Sequence, residues 1–233
     1  MILTIILLCG AWALYKQYAD SHRGQRSTRP VTRSQASGDA GEARVNAELR
    51  RVLAHLCGSD FYVHPTALLL LHAPGTEFPT AEVDHLVVTP FGIFVIETKN
   101  WAGTILPGQT ADQLVCHLPS GRLEERRSPI SQNRAKVAFL RGTLPATWNV
   151  QGLGVFSHDA CTLSAGLPLA LVNLRDLGYW LRTQRDRHAE SGNPNINVSA
   201  AWDVVRRLSV DDPTGSAISA HRHKVARNSS VNI

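Results

Sequence analysis

The 233-residue chain has few cysteines and no phosphate-binding glycine motif, and each shortage excludes a class of function. Its four cysteines, Cys9, Cys57, Cys116 and Cys161, are scattered without a C-x-x-C pair. That spacing argues against a zinc site and against a disulfide framework, and it suits a reducing compartment. No glycine-rich phosphate loop and no nucleophile elbow occur. Ser157, His158 and Asp159 are consecutive, so on a strand they diverge rather than form a catalytic relay. There are no internal repeats.

Basic charge is also missing from the centre. The net charge is +5, but residues 16–35 hold five Lys/Arg against one acid and residues 182–233 hold eight against five. The 36–181 stretch holds eleven against thirteen, a net of −2. The high isoelectric point therefore describes the flanks and not the central domain.

The one strongly apolar run is "MILTIILLCGAWALY", residues 1–15, shorter than the roughly 20 residues of a spanning helix. Lys16 can snorkel, and Trp12, Tyr15 and Tyr18 suit a membrane interface. A cleaved signal peptide would want a positive start, which only the amino terminus supplies. The reading taken is a transmembrane anchor over 1–19. Lys16, Arg23, Arg26, Arg29 and Arg33 follow it, so the positive-inside bias places the rest in the cytoplasm, as a single-pass protein of the plasma (inner) membrane. Residues 20–37 read as a basic linker.

From Ala40 to Cys57, Val45, Leu49, Val52, Leu53 and Leu56 recur at helical spacing. "FYVHPTALLLLH" reads as an extended segment, "ADQLVCHL" as a strand, and Ser128-Pro129 as the start of a helix. "NVQGLGVFS" and "LALVN" follow as strands, and "LRDLGYWLRTQ" as a helix. From about Arg185 the chain turns polar, with one helix, "AAWDVVRRL", and a tail without a core, in which His221 and His223 fall. The order of elements predicts an α/β fold, a central mixed sheet flanked by helices.

The stretch "AEVDHLVVTPFGIFVIETKNW", Ala81 to Trp101, carries three charges at the ends of apolar runs: Asp84, Glu97 and Lys99. On a strand, Ile93, Val95, Glu97 and Lys99 share one face. If the loop around Pro90 and Gly92 holds an even number of residues, opposite positions sum to 181 and Asp84 faces Glu97, roughly 5 Å away. A three-residue loop with a bulge would slip this register by one. Two carboxylates that close repel unless a cation lies between them or one is protonated. The plainer alternative is a Glu97–Lys99 ion pair beside a solvated Asp84.

"GDAGEARVNAEL", "EVDHLVV", "GIFVIETKNWAG" and "SPISQN", in that order over 38–133, resemble the nuclease-related domain family of the PD-(D/E)xK nuclease superfamily. One departure is Leu114, where the family pattern suggests tryptophan. The resemblance implies a restriction-endonuclease-like core over 38–182, followed by a flexible basic extension over 183–233. It implies a metal-dependent nuclease, acting by preference on DNA, with Glu42, Asp84, Glu97, Lys99 and Gln132 as site residues. Asp84, Glu97 and the backbone carbonyl of Thr98 offer hard oxygen ligands suited to Mg²⁺ or Mn²⁺. Lys99 would orient water or stabilise charge on the phosphorus centre, Glu42 would hold a water of the ion, and Gln132 would position the helix edge.

Two of these residues have plainer explanations. Asp39-Ala-Gly-Glu42 fits a capping box, although Glu42 lies on the helix's apolar stripe. Gln132 reads equally as a solvated amide. Arg134, Lys136 and Arg141 read as a solvated basic face that phosphates could meet. His85 should point away from Asp84. A non-cutting nucleic-acid-binding module, and a membrane-associated interaction protein presenting its basic tail, are the other classes.

Overall fold

The computed structural model describes residues 33–231, and the chain divides into two units, 1–36 and 37–233. The anchor expected at 1–19 and residues 20–32 of the linker lie outside the described residues. Among the described residues no helix is long and apolar enough to cross a membrane.

Helix α1, Arg33–Cys57, opens the described chain. Residues 33–37, expected to be linker, are its first turns, so Asp39 and Glu42 are interior residues of the helix and the capping-box explanation of Glu42 falls. Val45, Leu49 and Leu53 are fully buried, as their spacing requires. Strands β1 (Tyr62–Val63), β2 (Leu68–Leu70), β3 (Ala81–Val83), β4 (His85–Thr89) and β5 (Gly92–Lys99) follow. Next come β6 (Gly103–Pro107), β7 (Gln113–His117) and β8 (Leu123–Arg127), then α2 (Pro129–Thr143) and β9 (Val150–Phe156). After β10 (Cys161–Leu163) and β11 (Leu171–Asn173), a 3₁₀ turn (Leu174–Asp176) leads into α3 (Leu177–Ser191). Helices α4 (Val198–Arg207) and α5 (Ser216–Val231) end the description.

The centre is a five-stranded mixed sheet of order β1-β4-β5-β9-β11, in which β1, β4 and β5 run antiparallel to their neighbours and β5, β9 and β11 run parallel. Alternate residues of β5 feed opposite cores. Phe94 and Ile96 pack with Val45, Leu49 and Leu53 of α1, while Ile93 and Val95 pack with Val137 and Leu140 of α2. A four-stranded sheet, β10-β6-β7-β8, stands beside it, and Leu114 is buried there against Ile105 and Phe156. β2 and β3 form a separate two-stranded ribbon.

The C-terminal region differs from its expected form. α3 runs on to Ser191 with Gln184 and His188 buried, so the polar sequence after Arg185 does not end the fold. Ile196, Val198, Ala201 and Val205 join the α2-side core. In place of one short helix there are two, and His221, read as part of an unstructured tail, lies in α5 with its Nδ1 2.9 Å from Thr80 Oγ1. Among the described residues α5 contributes none of the buried hydrophobic side chains, in keeping with a sequence that shows no apolar period.

Candidate active site

The β4–β5 hairpin has the two-residue loop, with Thr89 opposite Gly92 and His85 opposite Ile96, so paired positions sum to 181. The ladder stops one residue short of Asp84, a bend between β3 and β4. There the side chain replaces the backbone: Asp84 Oδ2 accepts the Thr98 N–H at 2.8 Å. Asp84 is thereby fixed against the end of β5, next to Glu97. Thr98 also holds His85, whose Nε2 lies 3.0 Å from the threonine hydroxyl oxygen. Burial lowers the His85 pKa to about 4, so its imidazole is neutral at pH 7.

Glu97, Lys99 and Gln132 meet on the α2 side. Lys99 Nζ donates to Glu97 Oε1 at 2.8 Å and to Gln132 Oε1 at 2.9 Å. Gln132 stands one turn into α2 and donates from Nε2 to the Arg127 carbonyl. Lys136, one turn further along, is 7% exposed and donates to Glu97 Oε2 at 2.9 Å. It is not part of a solvated basic face. Sequence reasoning missed it, although the signal existed: Lys136 is four residues past Gln132 and four before the buried Leu140. Arg134 pairs with Asp112 at the surface, and Arg141 donates to the Val150 carbonyl at 2.8 Å.

Glu42 reaches the same strand end from the α1 side. At Gly41 a Cβ atom would lie 2.6 Å from Ser157 Oγ and 2.9 Å from Asn100 Cβ, so only glycine lets the helix come this close. The residue after it, Glu42, then lines a cleft of about 290 Å³ together with Asp39, Asp84, His85 and Arg222 of α5. Arg222 donates from Nε to Glu82 Oε1 at 2.8 Å.

The three carboxyls differ in charge environment. Burial, reinforced by Glu97, pushes the Asp84 pKa up to about 7. Burial also raises Glu42, against the opposing pull of Arg222. Glu97, equally removed from water, is nonetheless held below the usual carboxylate range, because Lys136 and Lys99 together outweigh its burial.

Among the described residues, no three Asp, Glu, His or Cys side chains stand close enough to cage a metal. Mg²⁺ does not require a cage: one or two carboxylates, waters and a substrate phosphate suffice. Asp84 and the Oε1 side of Glu97, with Thr98 between them and Lys99 in sequence, fit that donor requirement once Lys99 turns away. Ser157 and Asp159 are engaged elsewhere, with Asn100 and Arg44 respectively, and form no relay.

The family model for the nuclease-related domain matches residues 37–157, just over half of the chain. The match ends at Ser157, so α3, α4 and α5 lie beyond it. No curated protein and no solved structure matches the chain significantly.

Proposed function

The chain belongs to the nuclease-related domain family, and from that premise we propose that it is a nuclease hydrolysing phosphodiester bonds, by preference in DNA, with Mg²⁺ or Mn²⁺ held by Asp84 and Glu97. The supporting observation is the convergence of Asp84, Glu97, Lys99 and Gln132 on the open end of one central strand. A bound divalent ion would lower the pKa of attacking water and neutralise charge on the phosphate. Asp84 and Glu97 would hold it, with the Thr98 carbonyl as a further oxygen. Lys99 would then meet a non-bridging phosphate oxygen or the incoming water, with Gln132 Oε1 keeping the Lys99 ammonium at the strand end. Glu42 accepts a hydrogen bond from water in the cleft. On this reading the sheet is a restriction-endonuclease-like core. The apolar start and its five basic followers tether it to the plasma membrane with the domain in the cytoplasm, which accessibility labelling would test.

The deciding experiment incubates the full chain with linear, nicked, branched and single-stranded DNA, with Mg²⁺, Mn²⁺ or a chelator. Metal-dependent cleavage by the parent and none by Lys99→Ala is the expected result. Absence of cleavage on every DNA form sinks the nuclease reading. A second reading, a module that binds without cutting, then stands, and one observation favours it: both Glu97 oxygens are engaged by ammonium groups.

A further inference from the structure

Glu97 has two lysine partners, and they are not equivalent. Lys99 lies on the same strand, its side chain is 17% exposed, and it shares its ammonium between Glu97 Oε1 and the neutral amide of Gln132. Lys136 comes from the facing helix, its side chain is 9% exposed, and Glu97 Oε2 is the acceptor found for it. A buried ammonium that leaves its one carboxylate gives up its compensation for lost water, which is strongly unfavourable. A less buried ammonium with an amide to fall back on gives up less.

Charge balance points the same way. Asp84 and Glu97, when ionised, balance Lys99 and Lys136. A divalent cation between the two carboxylates leaves the cluster with two surplus positive charges, and one lysine must turn elsewhere. The more exposed one, at the strand end, has somewhere to go.

We propose that Lys136 is a positioning residue of this site: it permanently holds the inner oxygen of Glu97, so that Glu97 offers a cation Oε1 alone while Lys99 is the lysine released to the phosphate. The inference rests on the nuclease reading for its consequence in catalysis, but the division between the lysines is a property of the protein itself. It makes Glu97 a monodentate ligand. It also explains why a buried lysine is tolerated on α2: without it, Glu97 would have to keep Lys99.

The test reads the lysine side-chain ammonium signals of the parent protein by NMR, assigned with Lys99→Arg and Lys136→Arg. Mg²⁺ and then thymidine 3′,5′-bisphosphate are added. Movement of the Lys99 signal with the Lys136 signal fixed is expected; movement of Lys136, alone or alongside Lys99, overturns the proposal. In parallel, Lys136→Met should lower kcat about a hundredfold, the scale of loss from a misplaced catalytic group, with KM unchanged. Lys136→Arg should keep more of kcat than Lys136→Met. A Lys136→Met protein that cuts at the parent rate also overturns the proposal. If Lys136→Met does not fold, the spectra of the parent decide. If the parent cuts nothing, the nuclease reading fails while the spectra still decide which lysine is fixed.

Discussion

The two sides of the β5 end solve the problem of buried carboxylates in opposite ways. On the α2 side, Glu97 is charge-paired twice over, and its carboxyl stays ionised despite its burial. On the α1 side, Asp84 takes one backbone N–H and Glu42 faces a cleft, and both are shifted toward the protonated form. The difference separates a fixed part of the site from a part that changes state. The α2 side already supplies its carboxylate with counter-charge, whereas the α1 side is the one a cation would discharge. A divalent ion should therefore act first on Asp84.

The largest expected effect breaks the charge-paired side. Glu97→Gln leaves Lys136 buried without a counter-charge and should cost about 3 kcal/mol or more in chemical unfolding, the usual penalty for halving a buried pair. It should also abolish metal-dependent cleavage while retaining DNA binding. Cleavage at the parent rate would remove Glu97 from the ligand set.

Next is Asp84→Asn, which should act in the other direction on stability. The folded Asp84 titrates near 7, above its ordinary value of 3.8. Between those values the folded state keeps a proton that the unfolded state has released, so this contribution is present at low pH and is lost as pH rises through 7. Asparagine can still accept the Thr98 N–H. Asp84→Asn should thus lose cleavage yet melt several degrees higher than the parent at pH 8, with the gap narrowing at pH 5. Glu97, held low, contributes in the opposite sense, through stability present above its ordinary value and lost on acidification. A melting-temperature difference for Asp84→Asn that is flat with pH would undo the contrast between the two carboxyls.

Smaller again is Arg222→Ala. Removing the one cation that lines the α1 cleft among the described residues should raise the Glu42 pKa further and lower hydrogen-exchange protection in residues 216–228, with protection of β5 unchanged. Loss of protection in β5 would mean that α5 supports the core. The smallest effect concerns salt. Ending the chain after Asp211 removes Arg222, Lys224 and Arg227 against one acid, Asp212. The salt slope of DNA binding should flatten by roughly 0.9 for each phosphate that α5 no longer neutralises. An unchanged slope would place the basic tail away from the nucleic acid. A cut at 182 would be a poor test of this, because Ile196, Val198, Ala201 and Val205 are core residues.

Strand alternation and the turn residues located the hairpin in the sequence but left two registers open, because β5 is apolar on both faces and either register buries it; the two-residue loop decides between them. The shared face of Glu97 and Lys99 follows from strand alternation, whereas Asp84 lies one residue beyond the ladder and is held by the Thr98 N–H. Lys136 was not placed, because a lysine is read by default as solvated and its spacing from Gln132 and Leu140, which puts it on the buried stripe with Asn133, Val137 and Leu140, was outweighed by that default. α5 was illegible for another reason. It is attached through Arg222 to Glu82, His221 to Thr80, and Lys224 over the Phe78 ring at 4.8 Å, and none of these attachments leaves an apolar period.

The bend at Asp84 makes that residue a mechanical joint. Before it the chain belongs to the β2–β3 ribbon, and after it to the central sheet. Glu82, gripped by Arg222, is two residues or roughly 7 Å of extended chain from it. Val83, the one residue between them, is fully buried in the α2-side core, so a displacement of α5 from the ribbon would reach the carboxylate at the end of β5 through a single anchored residue.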